Sequence, residues 1–392
     1  MSRGFIMIGL MVFSGSVFSQ TPLDQLLESI TLNNKSIKTS KGQVELANIR
    51  QRTGIFLPNP TIEYNYMTGN PSELGNKTDF GVTQAFDFPS VYILQNKIAN
   101  LHGDANQFML LSHRQQILSD AAELYTELVF INKYARLLQR LQSATSQFVS
   151  GLKTRFDLGA IDALEYSQKK WLESVLLIKI RENEMRKQSL SMQLTSMNGG
   201  IPVAVNDTTY AHIEPFPILD SLVNRILSGN PDLNFIRGQQ FIREKEVQLA
   251  KSKWLPKFEA GYYTEKTQTL DLQGLHLGMT IPLWENVNTV KRTKSEARLI
   301  NLQWEEYRNG LYYEVSSLYE QWRMSQVSLE EIRSGIAATD FNMYLATLLK
   351  EGKIEASRFF YDLSGWLAIN EMYLKGELNM NQAYIKLKSY SF

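Results

Sequence analysis

Histidines, cysteines and serine–base pairs are the raw material of most catalytic and metal sites, and this 392-residue chain offers few of them: four histidines and no cysteine. His102 and His113 share a helical stretch, but at about 1.5 Å per residue they stand about 16 Å apart along it, too far to share one metal. His212 and His276 are isolated. There is no phosphate-binding glycine loop, no nucleophile elbow and no Cys/His ligand spacing. Thirteen methionines without a His/Cys cluster give no positive case for metals. No catalytic residue, metal site or cofactor is expected, and the chain does not read as an enzyme. With 41 basic and 40 acidic residues the net charge is +1, so bulk charge gives no case for nucleic acid or for a polybasic membrane anchor.

The informative chemistry lies in alternation. LPNPTIEYNYM (57–67) and GVTQAFDFP (81–89) are joined by a Gly/Asn/Pro-rich loop; LPKFEAGYY (255–263) and LHLGMTIPLW (275–284) by a polar turn region. In the last run Leu275, Leu277, Met279, Ile281 and Leu283 fall on one face, and His276, Gly278, Thr280 and Pro282 on the other. The first strand sets Ile62, Tyr64 and Tyr66 against Thr61, Glu63 and Asn65. The second sets Phe80, Val82, Phe86 and Phe88 against Asp79, Gly81, Thr83, Ala85 and Asp87, with Gln84 interrupting its apolar side.

Everything around these strands is helical, and very long. From Ser90 to about Phe156 there is no proline, and Leu124, Leu128, Ile131, Leu138 and Leu141 recur at helical steps. Such a helix spans about 100 Å. The plan then repeats: helix, Leu-Pro, strand, loop, strand, long helix, glycine turn, helix. The expected organisation is a secretory signal at 1–19, with Arg3 before the apolar run 5–13; a first repeat at 20–200 with strands about 59–67 and 78–88; a linker at 201–216; and a second repeat at 217–392 with strands about 257–266 and 274–284. Without cysteine, neither disulfides nor a lipid on an N-terminal cysteine is expected.

Strands of this length cross a membrane when tilted, but in lipid every backbone group must be paired, so only a closed barrel spans it. Known barrels begin at about eight strands. Four cannot close alone, so several chains must share one barrel, apolar faces to lipid and Thr/Glu/Asn/Gly faces to a wet lumen. A small soluble sheet packed on helices would show the same alternation; the signal, the duplication and the helix lengths favour the barrel.

On these residues the chain resembles the TolC-like outer-membrane efflux proteins. The resemblance covers nearly the whole chain beyond the signal and rests on NPDLNFIRGQQFIREKEVQLAKSKWLPKFEAGYY (230–263), GMTIPLW (278–284), the weaker first copies at Leu57–Pro58 and Gly81, and the turns at Gly159 and Gly352. It implies a mainly α fold with a small β part: duplicated helix–strand–strand–helix repeats forming a homotrimer, whose twelve-stranded barrel in outer-membrane lipid continues into a periplasmic α-helical tube. The implied partners are a periplasmic adaptor and an inner-membrane transporter, and the implied function is a passive exit duct for efflux or secretion.

The resemblance also places the helical turns at the periplasmic tip. Candidate aperture residues are Asp157, Asp162, Glu165, Glu355, Arg358 and Asp362, since threefold symmetry turns one charge into a ring. Relatives often carry aspartates just after the second turn, whereas Arg358 stands near that position here, so an Arg358–Glu165 ion-pair gate is the alternative to an acidic ring. Candidate adaptor contacts are Leu158, Gly159, Ile161, Gly352, Lys353 and Ile354. The competing reading of the whole chain is a periplasmic coiled-coil adaptor or scaffold, which would be water-soluble. The substrate class (metal ion, drug, solvent or polypeptide) is open.

Overall fold

Two asparagines decide where the helical segments restart, one in each half of the chain. The computed structural model describes residues 21–70, 75–211, 213–336 and 356–392, with the single residues 347 and 353; the expected signal at 1–19 and the residues Glu351, Gly352, Ile354 and Glu355 lie outside them. Helix α1 (Pro22–Asn33) opens with a capping box in which Thr21 and Asp24 satisfy each other's backbone N–H. At Asn34 the chain turns, and the Asn34 side chain caps α2 (Lys35–Arg52) by accepting from the Ile37 N–H at 3.0 Å. The second half repeats the device. Asn230 separates α5 (Leu219–Gly229) from α6 (Pro231–Ser252) and accepts from the Leu233 N–H at 2.9 Å.

The strands are β1 (Thr61–Thr68), β2 (Asn76–Phe86), β3 (Lys257–Lys266) and β4 (Asp271–Thr280). They form one antiparallel sheet in the order β1-β2-β3-β4, so β2 of the first half pairs with β3 of the second. The expected fourth strand, 274–284, is shifted: the ladder starts at Asp271 and stops at Thr280. Pro282 has no N–H to donate, so Ile281 and Leu283 continue the exposed apolar face without belonging to the sheet. Likewise β2 ends at Phe86, because Phe88 serves as N-cap of the next helix and Pro89 occupies its first turn.

Helix α3 (Pro89–Asp157) has 69 residues, about 100 Å, and is the spine of the molecule. The remaining long helices are α4 (Ala163–Met197), α7 (Thr289–Ile336) and α8 (Ala356–Ser389). The fold is therefore mainly α with a small antiparallel sheet. Neighbour relations run in one order at each level. Next to the sheet it is α2, α3, α6, α7; farther along it is α4, α3, α8, α7. The chain is a single wall of four elements across, with β1, α2 and α4 along one edge and β4 and α7 along the other.

Apolar contacts are strung along α3 rather than gathered in one ball. The largest cluster surrounds Leu118, Ala122, Leu128 and Val129, where α1, α4, α5, α7 and α8 converge on α3. A second lies toward the α3–α4 turn around Leu138, Leu152 and Phe359, and a third around Ile98, Ala105 and Ile242 near the sheet. The described residues of 201–217 form no helix or strand, and the segment crosses the large cluster. Asn132 holds it by donating to the Val205 and Asp207 carbonyls at 3.0 Å each, and Tyr125 donates to Asp207 at 2.9 Å. At the end of α4, Gly199 has φ +72, and a Cβ there would stand 2.5 Å from the Asn33 carbonyl oxygen. Only glycine lets α1 and α4 approach this closely.

Candidate pore-forming sheet and helical tip

Direct cross-strand partners share a face, so the register sorts the whole sheet. One face carries Ile62 and Tyr64, then Phe80 and Val82, then Phe258 and Tyr262, then Leu275, Leu277 and Met279. It is bare: Leu275 is 86% exposed, Leu277 83% and Ile62 68%. Gln84, the polar interruption, sits in this face, and its amide donates to the Pro58 and Ala85 carbonyls at 2.8 and 2.9 Å, so its N–H groups are consumed by backbone. The opposite face carries Glu63, Asp79, Gly81 and Thr83, with Glu259, Gly261, Tyr263, His276, Gly278 and Thr280.

That polar face is shaped by glycine–aromatic nesting. The Tyr263 ring lies over Gly81, where a Cβ would stand 2.3 Å from the ring, and its edge meets the His276 imidazole with centroids 5.3 Å apart. Thr83, 7% exposed, fills the space over Gly261, where a Cβ would lie 2.7 Å from its methyl group. The Glu259 carboxylate and the His276 ring both border Gly278. Near the hairpin end, the Lys77 ammonium bridges Glu265 at 2.9 Å and Asp79 at 3.4 Å. β1 and β4 each pair on one side only, leaving two open edges.

The opposite end of the molecule is the α3–α4 turn. Gly159 takes φ +70, and the Ala160 N–H reaches back to the Arg155 carbonyl at 2.8 Å, a Schellman closure. Asp162 then caps α4 by accepting from the Glu165 N–H at 2.7 Å. Asp157 accepts from Lys153 at 3.0 Å, and that bond raises the lysine pKa. The turn thus gathers Asp157, Asp162 and Glu165, with Leu158 exposed at its apex, 78%. Ile161 is half-buried against the neighbouring apolar cluster, and the rings of Phe156 and Tyr166 stack 5.1 Å apart behind it.

Among the second-turn residues, Arg358 donates to Asp362 at 2.7 Å, one helical turn along α8, so within the chain its guanidinium is engaged there rather than with Glu165. Lys353 is exposed; Gly352, Ile354 and Glu355 lie outside the described residues.

Pairs between helices were not legible in the sequence. Glu371 on α8 accepts from Lys179 on α4 at 2.6 Å and from Tyr134 on α3 at 2.5 Å. Burial pushes this carboxyl up, but hydrogen bonds from Lys179 and Tyr134, with the lysine charges, outweigh it and hold the pKa below the usual glutamate value. Lys133 pairs with Glu377, nearly two turns farther along α8. No group of three His, Asp or Glu among the described residues is arranged to hold a metal, and none of the described helices is long and apolar enough to cross a membrane.

No protein-family model matches the sequence, and neither does any curated protein. Solved structures do match. A membrane protein from Pseudomonas aeruginosa superposes with TM-score 0.79 at 13% identity, covering 95% of this chain and 92% of that one. The Campylobacter jejuni CmeC outer membrane channel gives TM-score 0.72 at 13% identity, covering 94% and 85%. The outer membrane protein VceC of Vibrio cholerae gives 0.71 at 12% identity, covering 94% and 93%. None of the three is described as an enzyme. The fold is that of the TolC-like outer-membrane channels, as the sequence motifs implied.

Proposed function

We propose that this chain is one third of a homotrimeric outer-membrane exit duct that passively conducts substrate handed on by an inner-membrane transporter and a periplasmic adaptor. One observation carries the reading: a four-stranded sheet that is exposed and apolar on one face, polar on the other, and unpaired along both edges. In water the bare leucines would be an aggregation liability. In lipid the unpaired edges are not tolerated. Joining β4 of one copy to β1 of the next removes both problems, and three copies give twelve strands. The fold shared with CmeC and VceC supports the same arrangement.

The four-element wall follows the sheet, so closing the sheet into a barrel closes the helices into a tube. The polar face then lines a wet lumen with Glu63, Glu259, His276 and Thr280, and the α3–α4 turn lies at the far, periplasmic end. There Asp157, Asp162 and Glu165, with Arg358, Asp362 and Glu355, are the proposed aperture set. Leu158, Gly159, Ile161, Gly352, Lys353 and Ile354 are the proposed adaptor contacts. The competing scaffold role has no use for a leucine face 83–86% exposed at Leu275 and Leu277.

Membrane fractionation followed by planar-bilayer recording tests the proposal. The chain should require detergent for release from the outer membrane and should give stepwise ohmic conductance. Recovery in the soluble periplasmic fraction would overturn it.

A further inference from the structure

The polar face of the sheet sets two metal-ligating side chains around one bare spot. Gly278 on β4 has no side chain, and His276 Nε2 lies 3.3 Å, and Glu259 Oε2 3.8 Å, from where a Cβ on Gly278 would stand. The Tyr263 ring meets the imidazole edge-on from the other side, with centroids 5.3 Å apart. Neither Glu259 nor Glu63 has an ion pair among the described residues; Lys257, two positions before Glu259 on the same face, is held by Glu285 at 2.8 Å. Two donors are one short of a chelating set, and the open edge of β4 runs beside them.

Barrel closure fixes what comes to that edge. Pairing all of β1 (Thr61–Thr68) with β4 (Asp271–Thr280) while keeping like faces together leaves two registers. Glu63 of the next copy stands opposite Gly278 in one and opposite His276 in the other. Shear decides between them. Within one chain the line of direct partners from Glu63 runs through Gly81 and Tyr263 to Gly274. Closure at Gly278 therefore advances the register four residues per copy, and closure at His276 two. At about 3.3 Å per residue and about 4.8 Å between strands, a twelve-stranded barrel then tilts its strands by about 35° or about 20° respectively. Outer-membrane barrels tilt by about 35–45°, so Glu63 of the next copy belongs opposite Gly278.

We infer that each junction between copies binds a divalent transition-metal ion, with His276 and Glu259 of one copy and Glu63 of the next as its ligands. The site rests on the three-copy reading, because no single chain supplies all three donors at one place. One imidazole with two carboxylates suits zinc or nickel, whereas magnesium and calcium take oxygen ligands. Bonds of about 2.0–2.2 Å to nitrogen and oxygen require the His276 and Glu259 side chains to close over Gly278, where no side chain obstructs them. Water from the lumen fills the remaining positions. The bound ion ties β4 to β1 of the next copy, and three such ions ring the pore wall.

Native mass spectrometry of the full-length protein in detergent, stripped with EDTA and then given zinc chloride, tests the site. Three-chain particles should load three zinc ions at a concentration where magnesium loads none. At the zinc concentration that just saturates the parent, His276→Ala and Glu63→Gln should each abolish loading. Glu265→Gln, on the same face but with its carboxylate held by Lys77, should retain it. Co-expression of the His276→Ala and Glu63→Gln chains gives the decisive sample. Because the donors come from different copies, every mixed three-chain particle regains one intact junction and should load one ion. Mixed particles that load none, or single variants that still load three, would overturn the site and leave the duct reading standing, whereas single-chain particles would overturn both.

Discussion

Leu277 and His276 are neighbours in sequence whose substitution by the same residue should have opposite consequences. Leu277 is 83% exposed in mid-strand β4, on the face proposed to meet hydrocarbon in the closed barrel; His276 points the other way, beside Tyr263 and Glu259. Arginine on the lipid face near the bilayer midplane costs about 2–4 kcal/mol. Removing the leucine forfeits a further about 1.5–3 kcal/mol of apolar burial. In the proposed three-copy barrel the change occurs three times, so Leu277→Arg should destabilise each assembled barrel by on the order of 10 kcal/mol. His276→Arg places its cation in water near a carboxylate and should shift stability by less than about 0.5 kcal/mol per chain, as for an ordinary surface substitution. Denaturant unfolding in lipid vesicles, read by tryptophan fluorescence, measures the first quantity, and the amount of assembled protein in the outer membrane gives an independent readout. Equal effects from the two variants, or a Leu277→Arg chain that folds and becomes more soluble, would refute the face assignment and the membrane location with it.

Other expectations concern single contacts. Gly81→Ala forces a methyl group into the Tyr263 ring and should cost about 1–3 kcal/mol; Tyr263→Ala in the same chain should recover part of that loss in the same unfolding assay. Asn132→Ala removes two of the hydrogen bonds that hold the 201–217 segment, leaving the buried Val205 carbonyl unmet at about 1–3 kcal/mol, and hydrogen exchange at 203–208 should accelerate while the sheet is unchanged. Glu371 has a lowered folded pKa, so its contribution to stability is present above the unfolded value and is lost as pH falls through the folded one. Glu371→Gln should therefore flatten the acid limb of the stability–pH curve below about pH 4.5, and an unchanged limb would remove Glu371 from that account.

The strand faces were readable because period-two alternation is a local signal and register preserves it: the residues assigned by parity that belong to the ladder, from Ile62 to Met279, keep their faces, while Asp87 and Phe88 fall beyond the end of β2. Strand ends were less readable, since the ladder at Thr280 ends where the nearby Pro282 removes a donor, while the apolar pattern runs on to Leu283. That β2 of one half pairs with β3 of the other had no local signature; contacts across about two hundred positions are set by the whole helical wall. At the tip, sequence located Asp157, Asp162 and Glu165 but not their bonds, and the Arg358–Asp362 pair became visible only with both side chains on one turn of α8.

In the proposed barrel one chain supplies four of twelve strands. Native mass spectrometry of the detergent-extracted outer-membrane complex should therefore show particles of three times the mass of the purified chain, and particles of a single chain, stable and monodisperse, would contradict the shared barrel.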